Sequence, residues 1–263
     1  MDTITSRQNP VVQRFREAAR TAADSILLDG EHLIEEALAA SIPIELVAID
    51  ENAKADVARL AHRAETAGAR VISVPSKVLA AMSPVRQPSG IVAIARRQEK
   101  SVGDALAAAP QLVLILDEVQ DPGNVGAIVR AAEACGATGV ITSPGTADPM
   151  GWKALRGSMG SIFRLPVAVR QNLADAVRAA RALGIEIIAA VPRDGVPLPE
   201  LDLRRPVAVL LGGEGGGLRD SVVDLATTRL TIPMRRPVES LNVATAAALI
   251  AYEAQRQRTS VLS

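Results

Sequence analysis

The chain is 263 residues long, enough for one large domain or two smaller ones, and its 48% hydrophobic content excludes an intrinsically disordered protein. The formal net charge is zero, so binding of nucleic acid would have to rely on local basic patches. One cysteine and two distant histidines exclude a disulfide framework and give no metal-ligand spacing, and we expect no metal. No apolar run approaches the roughly 20 residues of a membrane span, and the N-terminus has no apolar signal core. We therefore expect a cytoplasmic protein without membrane contact.

The first part of the chain, residues 1–95, is predicted to form a small α/β unit. A helix over 10–20 is expected to start with Asn9 as its N-cap and Pro10 at its first position. The further elements expected here are strands 25–28, 44–49, 71–74 and 91–95 and helices 31–40 and 53–67. The polar stretch 96–101 follows a complete unit, so we place a linker at 96–110 and a second domain at 111–263. The alternative is a surface loop inside one domain.

The second part alternates strands with helices. The strands expected are 112–116, 139–142, 163–167, 185–190, 207–211 and 229–232, and the helices are 125–135, 151–159, 173–183 and 241–256, with a short helix after 218. These strands are continuous apolar runs, which is typical of a parallel sheet that is covered on both faces. The predicted fold class is therefore α/β, with a parallel-sheet C-terminal domain preceded by a smaller α/β domain.

Three polar loops follow strands of this predicted sheet, where open α/β sheets bind ligands. The first leads into a helix that carries Asn124 and Arg130, and the alternative is a helix-capping Asn with a surface Arg. The second, 211–218, contains five glycines around Glu214. Glycines let a backbone approach a ligand closely, although a turn without a ligand would also use them. This loop lacks the spacing of a dinucleotide fingerprint and the Lys-Ser/Thr ending of a phosphate loop.

The third loop, 232–242, runs from a strand into the last helix. Ile232 and Leu241 could offer apolar surface to an adenine. Ser240 is the expected N-cap of the last helix, which is also the alternative to a role in a ligand site.

Two groups of basic residues could contact phosphates. Arg7, Arg14, Arg16 and Arg20 are close in sequence, and three of them fall on the first predicted helix. Arg156 stands near the only tryptophan, Trp152, which could contact RNA or belong to a core or an interface.

Four segments together resemble the motifs of the SpoU/TrmH family of RNA ribose 2′-O-methyltransferases, a branch of the SPOUT superfamily. Asn124-Val-Gly-Ala-Ile-Val-Arg130 is similar to the first motif and Leu211-Gly-Gly-Glu-Gly-Gly-Gly-Leu218 to the second. Ile232-Pro-Met with Ser240-Leu-Asn242 is similar to the third, and 156–164 resembles a segment between motifs. Residues 111–257 carry the resemblance strongly. Residues 1–95 more weakly resemble the ribosomal-protein-like RNA-binding domain of many members.

The resemblance implies a deep C-terminal trefoil knot, a homodimer and S-adenosylmethionine as cofactor. It assigns the cofactor to Gly212, Glu214, Gly215, Ile232, Met234 and Leu241. It assigns catalysis to Asn124, Arg130, Glu214, Ser240 and Asn242. Contacts with RNA are predicted for Arg7, Arg14, Arg16, Arg20 and Arg156.

The implied reaction is methyl transfer to a ribose 2′-hydroxyl of structured RNA, with 23S ribosomal RNA favoured over transfer RNA. Because arginine stays protonated, we expect Arg130 to stabilise negative charge on the 2′-oxygen or an adjoining phosphate. A phosphate, water or Glu214 would then accept the proton. The alternatives are a non-catalytic RNA-binding protein of this fold and a nucleotide-dependent oxidoreductase. The apolar spacing of Val243, Ala247, Ile250 and Ala251 predicts a buried face, either in the dimer or within the subunit.

Overall fold

The structure is a computed structural model that describes residues 2–259, so the extreme ends of the two predicted domains, 1 and 260–263, lie outside it. The described residues form two units. The first extends through Gln98 and also includes Met150–Phe163, whereas the second contains Glu99–Pro149 and continues from Arg164. The predicted division was sequential, whereas these units are interleaved along the chain.

The helices and strands alternate along most of the chain. The first are β1 (Asp2–Thr3), α1 (Pro10–Thr21), β2 (Ser25–Asp29), α2 (Glu31–Ala39), β3 (Ile44–Asp50), α3 (Ala55–Thr66), β4 (Arg70–Val74), α4 (Ser76–Met82) and β5 (Ile91–Arg96). Those that follow are α5 (Val102–Leu106), β6 (Leu112–Asp117), α6 (Pro122–Ala134), β7 (Gly139–Thr142), α7 (Trp152–Ser158), β8 (Val167–Ala168), α8 (Leu173–Ala182), β9 (Glu186–Ala190), β10 (Val196–Pro197), β11 (Val207–Gly212), α9 (Asp220–Val223), β12 (Thr228–Thr231) and α10 (Val243–Thr259).

The first unit is built on a five-stranded sheet in the order β1-β4-β3-β5-β2, with β5 antiparallel to both of its neighbours. Helix α1 starts as predicted, because the Asn9 side chain accepts a hydrogen bond from the Val11 N–H and Pro10 occupies the first turn. Phe15 of this helix is fully buried in the core. Trp152 of α7 packs against the same core, which favours the packing role over an RNA contact.

The second unit is built on a seven-stranded sheet in the order β10-β12-β9-β11-β6-β7-β8, and every pairing in it is parallel. Strand β6 is buried along its whole length, and β11 is buried up to Gly212. This confirms the predicted α/β class with a parallel sheet. The apolar runs arise because residues on both faces of these central strands are covered.

Two predicted segments differ from the structure. The strand expected over 163–167 is wrong: a 3₁₀ helix occupies Ser161–Phe163, and β8 begins only at Val167. Pro166 lies just before β8 and has no N–H to give to a ladder. Inside the predicted linker, Ser101 and Asp104 form a capping box that starts α5.

The last helix packs mainly on α6. Its apolar positions Val243, Ala247, Ile250 and Ala251 are buried, as predicted, and of the two alternatives the structure shows packing within the subunit. The exposed side of α10 instead carries Leu249 and Tyr252. Among residues 2–259, no helix is long and apolar enough to cross a membrane.

Candidate active site

A cavity of about 650 Å³ lies beside the carboxyl end of β11 in the second unit. The glycine-rich loop forms one part of its lining, and the segment that connects β12 to α10 forms another. Each residue predicted for the cofactor contributes to this lining: Gly212, Glu214, Gly215, Ile232, Met234 and Leu241. Of the residues predicted for catalysis, Glu214, Ser240 and Asn242 also line the cavity.

The glycine-rich loop folds back tightly on itself, and the Gly217 N–H donates to the Gly213 carbonyl at 3.2 Å. A Cβ atom at Gly212 would overlap the backbone of Gly217, and one at Gly213 would overlap the Glu118 carbonyl. Any larger residue at either position must therefore displace backbone rather than a flexible side chain. Gly216 differs, because a Cβ atom there would meet open space.

Hydrogen bonds join side chains from all three predicted loops. The Asn124 Nδ2 group donates to Glu214 Oε1 at 2.6 Å, and Asn242 Nδ2 donates to Asn124 Oδ1 at 3.1 Å. The second carboxylate oxygen of Glu214 accepts from the Gln120 N–H at 3.1 Å. Glu214 therefore links the glycine-rich loop to the start of α6, and Asn124 links the start of α6 to the start of α10.

The electrostatic surroundings of Glu214 favour its ionised form. Desolvation raises the pKa of its carboxyl group, but hydrogen bonds from the Asn124 amide and from backbone N–H groups, including that of Gln120, together hold the pKa below its ordinary value. The charged carboxylate is thus occupied as an acceptor on both oxygens, which makes it a poor acceptor for a further proton.

The helix caps at the site differ from the predicted ones. Asn242, not Ser240, caps α10, because its Oδ1 accepts from the N–H groups of Ala244 and Thr245 at 2.9 and 3.2 Å. Asp121 caps α6 by accepting from the Asn124 N–H at 2.9 Å. Since Asp121 fills that role, the Asn124 side chain is available to bridge Glu214 and Asn242. Ser240 is exposed and lines the cavity.

Arg130 is the one predicted catalytic residue that neither joins this network nor lines the cavity. It is exposed on α6, six residues beyond Asn124, which corresponds to about 9 Å along a helix and about 120° around it. Its side chain has no hydrogen bond or ion pair within residues 2–259, so its charge is not neutralised by the part of the chain described.

Sequence reasoning missed an ion pair at the base of the glycine-rich loop. The Asp117 carboxylate, 1% exposed, accepts two hydrogen bonds from Arg219, at 2.9 Å from Nη2 and 3.2 Å from Nε. Asp117 ends β6 and pairs in register with Gly212, while Arg219 follows the loop. The pair therefore closes both ends of the loop onto β6. In the sequence, this pair could have been suspected from the acidic residue at the end of an otherwise apolar strand.

A second missed feature is the end of β9, where Ala190, Val191, Pro192 and Arg193 line the cavity. Arg193 lies 3.6 Å from the Glu239 carboxylate, which belongs to the segment before α10. These residues could have been predicted from their position in the sheet, since β9 is parallel to β11 and ends at the same edge.

The predicted RNA-binding arginines lie in the first unit but do not form one group. Arg7 and Arg16 donate to the carbonyls of Lys77 and Ala81 on α4, and Arg20 is exposed one turn after Arg16. Arg14 instead pairs with the Glu45 carboxylate at 3.2 Å, which reduces its attraction for phosphate. Arg156 stands apart from them on α7.

The parallel sheet, with a glycine-lined cavity at its carboxyl edge, defines an α/β protein with a ligand site formed by strand-end loops. Residues 111–252 match the SpoU rRNA methylase family, and residues 13–93 match the MRM3-like substrate binding domain. The chain belongs to the SpoU rRNA methylase family. This confirms the family indicated by the sequence motifs.

Two bacterial relatives match almost the whole chain. An uncharacterized tRNA/rRNA methyltransferase of Synechocystis sp. is 35% identical over 97% of this chain and 94% of its own length. The 23S rRNA (guanosine(2553)-2′-O)-methyltransferase RlmP of Bacillus subtilis is 33% identical over 96% of this chain and 98% of its own length.

Solved structures resemble the chain over a similar extent. The AdoMet-bound rRNA methyltransferase from Sinorhizobium meliloti is 30% identical, with a TM-score of 0.87 and coverage of 97% of both chains. The SpoU methyltransferase AviRb from Streptomyces viridochromogenes, in complex with AdoMet, is 29% identical, with a TM-score of 0.84 and coverage of 96% of this chain and 100% of that one.

Proposed function

We propose that this protein transfers the methyl group of S-adenosylmethionine to a ribose 2′-hydroxyl of ribosomal RNA. The observation that carries the proposal is the cavity between the glycine-rich loop and the 232–242 segment, within a chain of the SpoU rRNA methylase family. Relatives named as 23S rRNA 2′-O-methyltransferases and AdoMet-bound neighbours support this substrate and this cofactor. Family membership also makes a nucleotide-dependent oxidoreductase a poor alternative.

The residues of the cavity fit S-adenosylmethionine. Gly212 and Gly213 have no room for a Cβ atom, and Ile232, Met234 and Leu241 supply apolar surface suited to an adenine. The cofactor supplies a methyl group made electrophilic by the adjoining sulfonium. The protein then has to hold the ribose so that its 2′-oxygen lies in line with the bond between the sulfur and the methyl group. The Asn124–Glu214–Asn242 network keeps the loops that hold the cofactor in a fixed arrangement.

Arg130 is our candidate for stabilising charge on the reacting oxygen. Its guanidinium is exposed and outside any ion pair of residues 2–259, so it can meet RNA as a full cation. Arginine does not deprotonate at ordinary pH, and we therefore assign it to the 2′-oxygen or the adjoining phosphate rather than to the proton. With Glu214 held ionised by its hydrogen bonds, water or an RNA phosphate is the better proton acceptor.

The remaining assignments follow the same family relationship. We infer that residues 111–263, apart from the 150–163 segment of the first unit, form the methyltransferase domain with a deep trefoil knot, in which 211–218 and 232–242 are the knotted loops. We infer that residues 1–95 select RNA, and that Arg7, Arg16 and Arg20 contact phosphates together. The protein is proposed to act as a homodimer.

The cofactor site is tested by calorimetry with S-adenosylmethionine on the full chain. Gly212→Val should weaken binding at least about 10-fold, because its side chain must push the Gly217 backbone into or away from the cavity. Gly103→Ala is the matched control and should bind as wild type, because Gly103 lies outside the cavity lining and its Cβ atom would meet Ser101 Oγ at an ordinary 3.5 Å. Unchanged affinity in a folded Gly212→Val protein would remove the loop from the site.

The substrate is tested by mapping 2′-O-methylated positions in ribosomal RNA from cells that lack the gene. We expect one position to lose its methyl group, and to regain it with the wild-type gene but not with Gly212→Val. If ribosomal RNA of the deletion strain keeps all of its 2′-O-methyl groups and transfer RNA loses one, the substrate is transfer RNA instead.

A further inference from the structure

A second cavity, of about 350 Å³, lies wholly within the first unit. It opens at the carboxyl end of β2, beside the start of α2, and is completed by the loop before β5 and by α7. Its polar lining includes Asp29, Gln87, Ser89 and Arg156, and Met159 adds apolar surface. None of these residues has a part in the function proposed above, although Arg156 is among the arginines predicted from the sequence to contact RNA.

Asp29 provides a hydrogen-bond acceptor that the protein does not use up. Its Oδ2 atom accepts a hydrogen bond from the Ser83 hydroxyl, whereas Oδ1 has no donor among residues 2–259. No buried side-chain polar atom of those residues lacks a partner, so Oδ1 is not buried, and Asp29 is one of the residues that line the cavity. Burial raises the pKa of this carboxyl group above its ordinary value, although the Ser83 hydroxyl and the Arg156 charge act in the opposite direction. Such a half-buried acceptor gains from a ligand that donates to it.

The charges that line the cavity restrict the ligand. Asp29 and Glu31 are acidic, and Arg156 is the one arginine or lysine of the lining. A phosphate would meet two carboxylates, whereas a neutral planar group with both donors and acceptors would suit this mixture. Unpaired RNA bases have that character, since proteins bind them through their hydrogen-bonding edges in pockets with apolar or guanidinium surfaces.

Among the bases, guanine matches the two charged groups best. Its N1–H and N2–H groups are adjacent donors that a carboxylate such as Asp29 can accept, and its O6 and N7 atoms are the acceptors that arginine prefers. We propose that this cavity binds an unpaired guanine of the RNA substrate, with Asp29 and Arg156 selecting it. The inference rests on the proposed function, because it assumes an RNA substrate, but it concerns a site in the other unit.

The test uses the 5′-monophosphates of guanosine, adenosine, cytidine, uridine and inosine as probes. Each is titrated into the full chain with saturating S-adenosylmethionine, and the backbone amide resonances of Gly30 and Ser89 are followed by NMR. We expect the guanosine nucleotide to bind roughly 10-fold or more tightly than those of adenosine, cytidine and uridine. The inosine nucleotide lacks the N2 amine and should bind several-fold more weakly than guanosine.

Variants then locate the selectivity. Asp29→Asn should abolish the preference for guanosine, and Arg156→Gln should weaken it. Asp56→Asn is the matched control, because Asp56 is an exposed carboxylate on α3 outside the cavity. Equal affinities for the guanosine and inosine nucleotides in the wild type would overturn the proposal without depending on any variant. So would a guanosine preference that survives in Asp29→Asn.

Calorimetry on the same samples separates this inference from the proposed function. Normal S-adenosylmethionine binding without guanosine selectivity would reject the guanine site alone. Loss of S-adenosylmethionine binding in the wild-type protein would instead reject the cofactor, and with it the proposed function.

Discussion

Asn124 is the residue through which the three strand-end loops depend on one another. Its amide group donates to Glu214 and its carbonyl oxygen accepts from Asn242, so both polar ends of one side chain are committed. Satisfied networks of this kind fix a single arrangement, because loss of any member leaves polar groups unpaired. At this site, the network holds the loops around the cavity, while Arg130 is exposed and lies outside the network.

Arg130 gives the sharpest prediction at the residue scale. If it stabilises developing charge as a permanent cation, Arg130→Ala should lose roughly 10²–10³ in rate while S-adenosylmethionine affinity barely changes. Arg130→Lys should recover part of the rate, because it keeps the charge but loses the planar fork. The measurement is the single-turnover rate against pH, with Arg178→Ala, an exposed helix arginine of the same unit, as the control.

The pH profile separates the two roles that have been considered for Arg130. A charge-stabilising arginine predicts no titration near neutrality in the wild type and no new pKa in Arg130→Lys. A general base predicts that the lysine variant regains activity with a shifted pH optimum, since lysine deprotonates more easily. A wild-type rate for a folded Arg130→Ala protein would contradict both.

The sequence predicted which residues line the cavity better than it predicted their contacts. Gly212, Ile232 and Leu241 could be placed because they follow strands that end at one edge of a parallel sheet. The cap of α10 was misassigned because Ser240 and Asn242 are equally good capping types, and only the path of the loop decides between them. Arg219 was missed because its partner, Asp117, stands 102 residues earlier.

At the scale of elements, α10 is held to the sheet by an arginine near its end. Arg258 donates to the backbone carbonyls of four residues, at 2.8 to 3.0 Å: Pro110, Gln111, Leu203 and Arg205. Burial lowers the pKa of its guanidinium, so these bonds compensate a charge that has lost part of its water. The carbonyls belong to the segments that enter β6 and β11, the two central strands of the sheet.

We therefore expect Arg258→Met to lower the free energy of unfolding by about 2–4 kcal/mol, because it leaves several carbonyls without a donor. Arg256→Met is the control, since Arg256 pairs with Glu253 at an exposed position and should change the stability much less. Denaturant unfolding monitored by circular dichroism measures both. Equal stability losses for the two variants would contradict the special role of Arg258.

Element prediction failed where periodicity competed with local chemistry. The apolar residues around Leu165 gave the pattern of a short strand, but Pro166 cannot donate to a ladder and the preceding turn is a 3₁₀ helix. The central strands β6 and β11 were recovered because burial on both faces leaves an unbroken apolar run.

At the scale of the whole molecule, the proposed dimer is expected to use the exposed side of α10. Leu249 and Tyr252 are 42% and 59% exposed there, and such side chains are common at subunit contacts. The double variant Leu249→Glu/Tyr252→Glu should convert a dimer into a monomer in light scattering at micromolar concentration. Leu183→Glu, at another exposed leucine of the same unit, should not. A wild-type monomer with full activity would contradict the dimer.

The interleaving of the two units restricts how this protein could be rebuilt from parts. The chain passes between the units after Gln98, after Pro149 and after Phe163. Dividing the chain at one position therefore cannot separate the two units. Removal of residues 1–95 would also take away β2, on which α7 packs, and the core that Trp152 covers. A chimera that joins the first unit to another methyltransferase would have to include the 150–163 segment. It would therefore need three junctions between the two proteins instead of one.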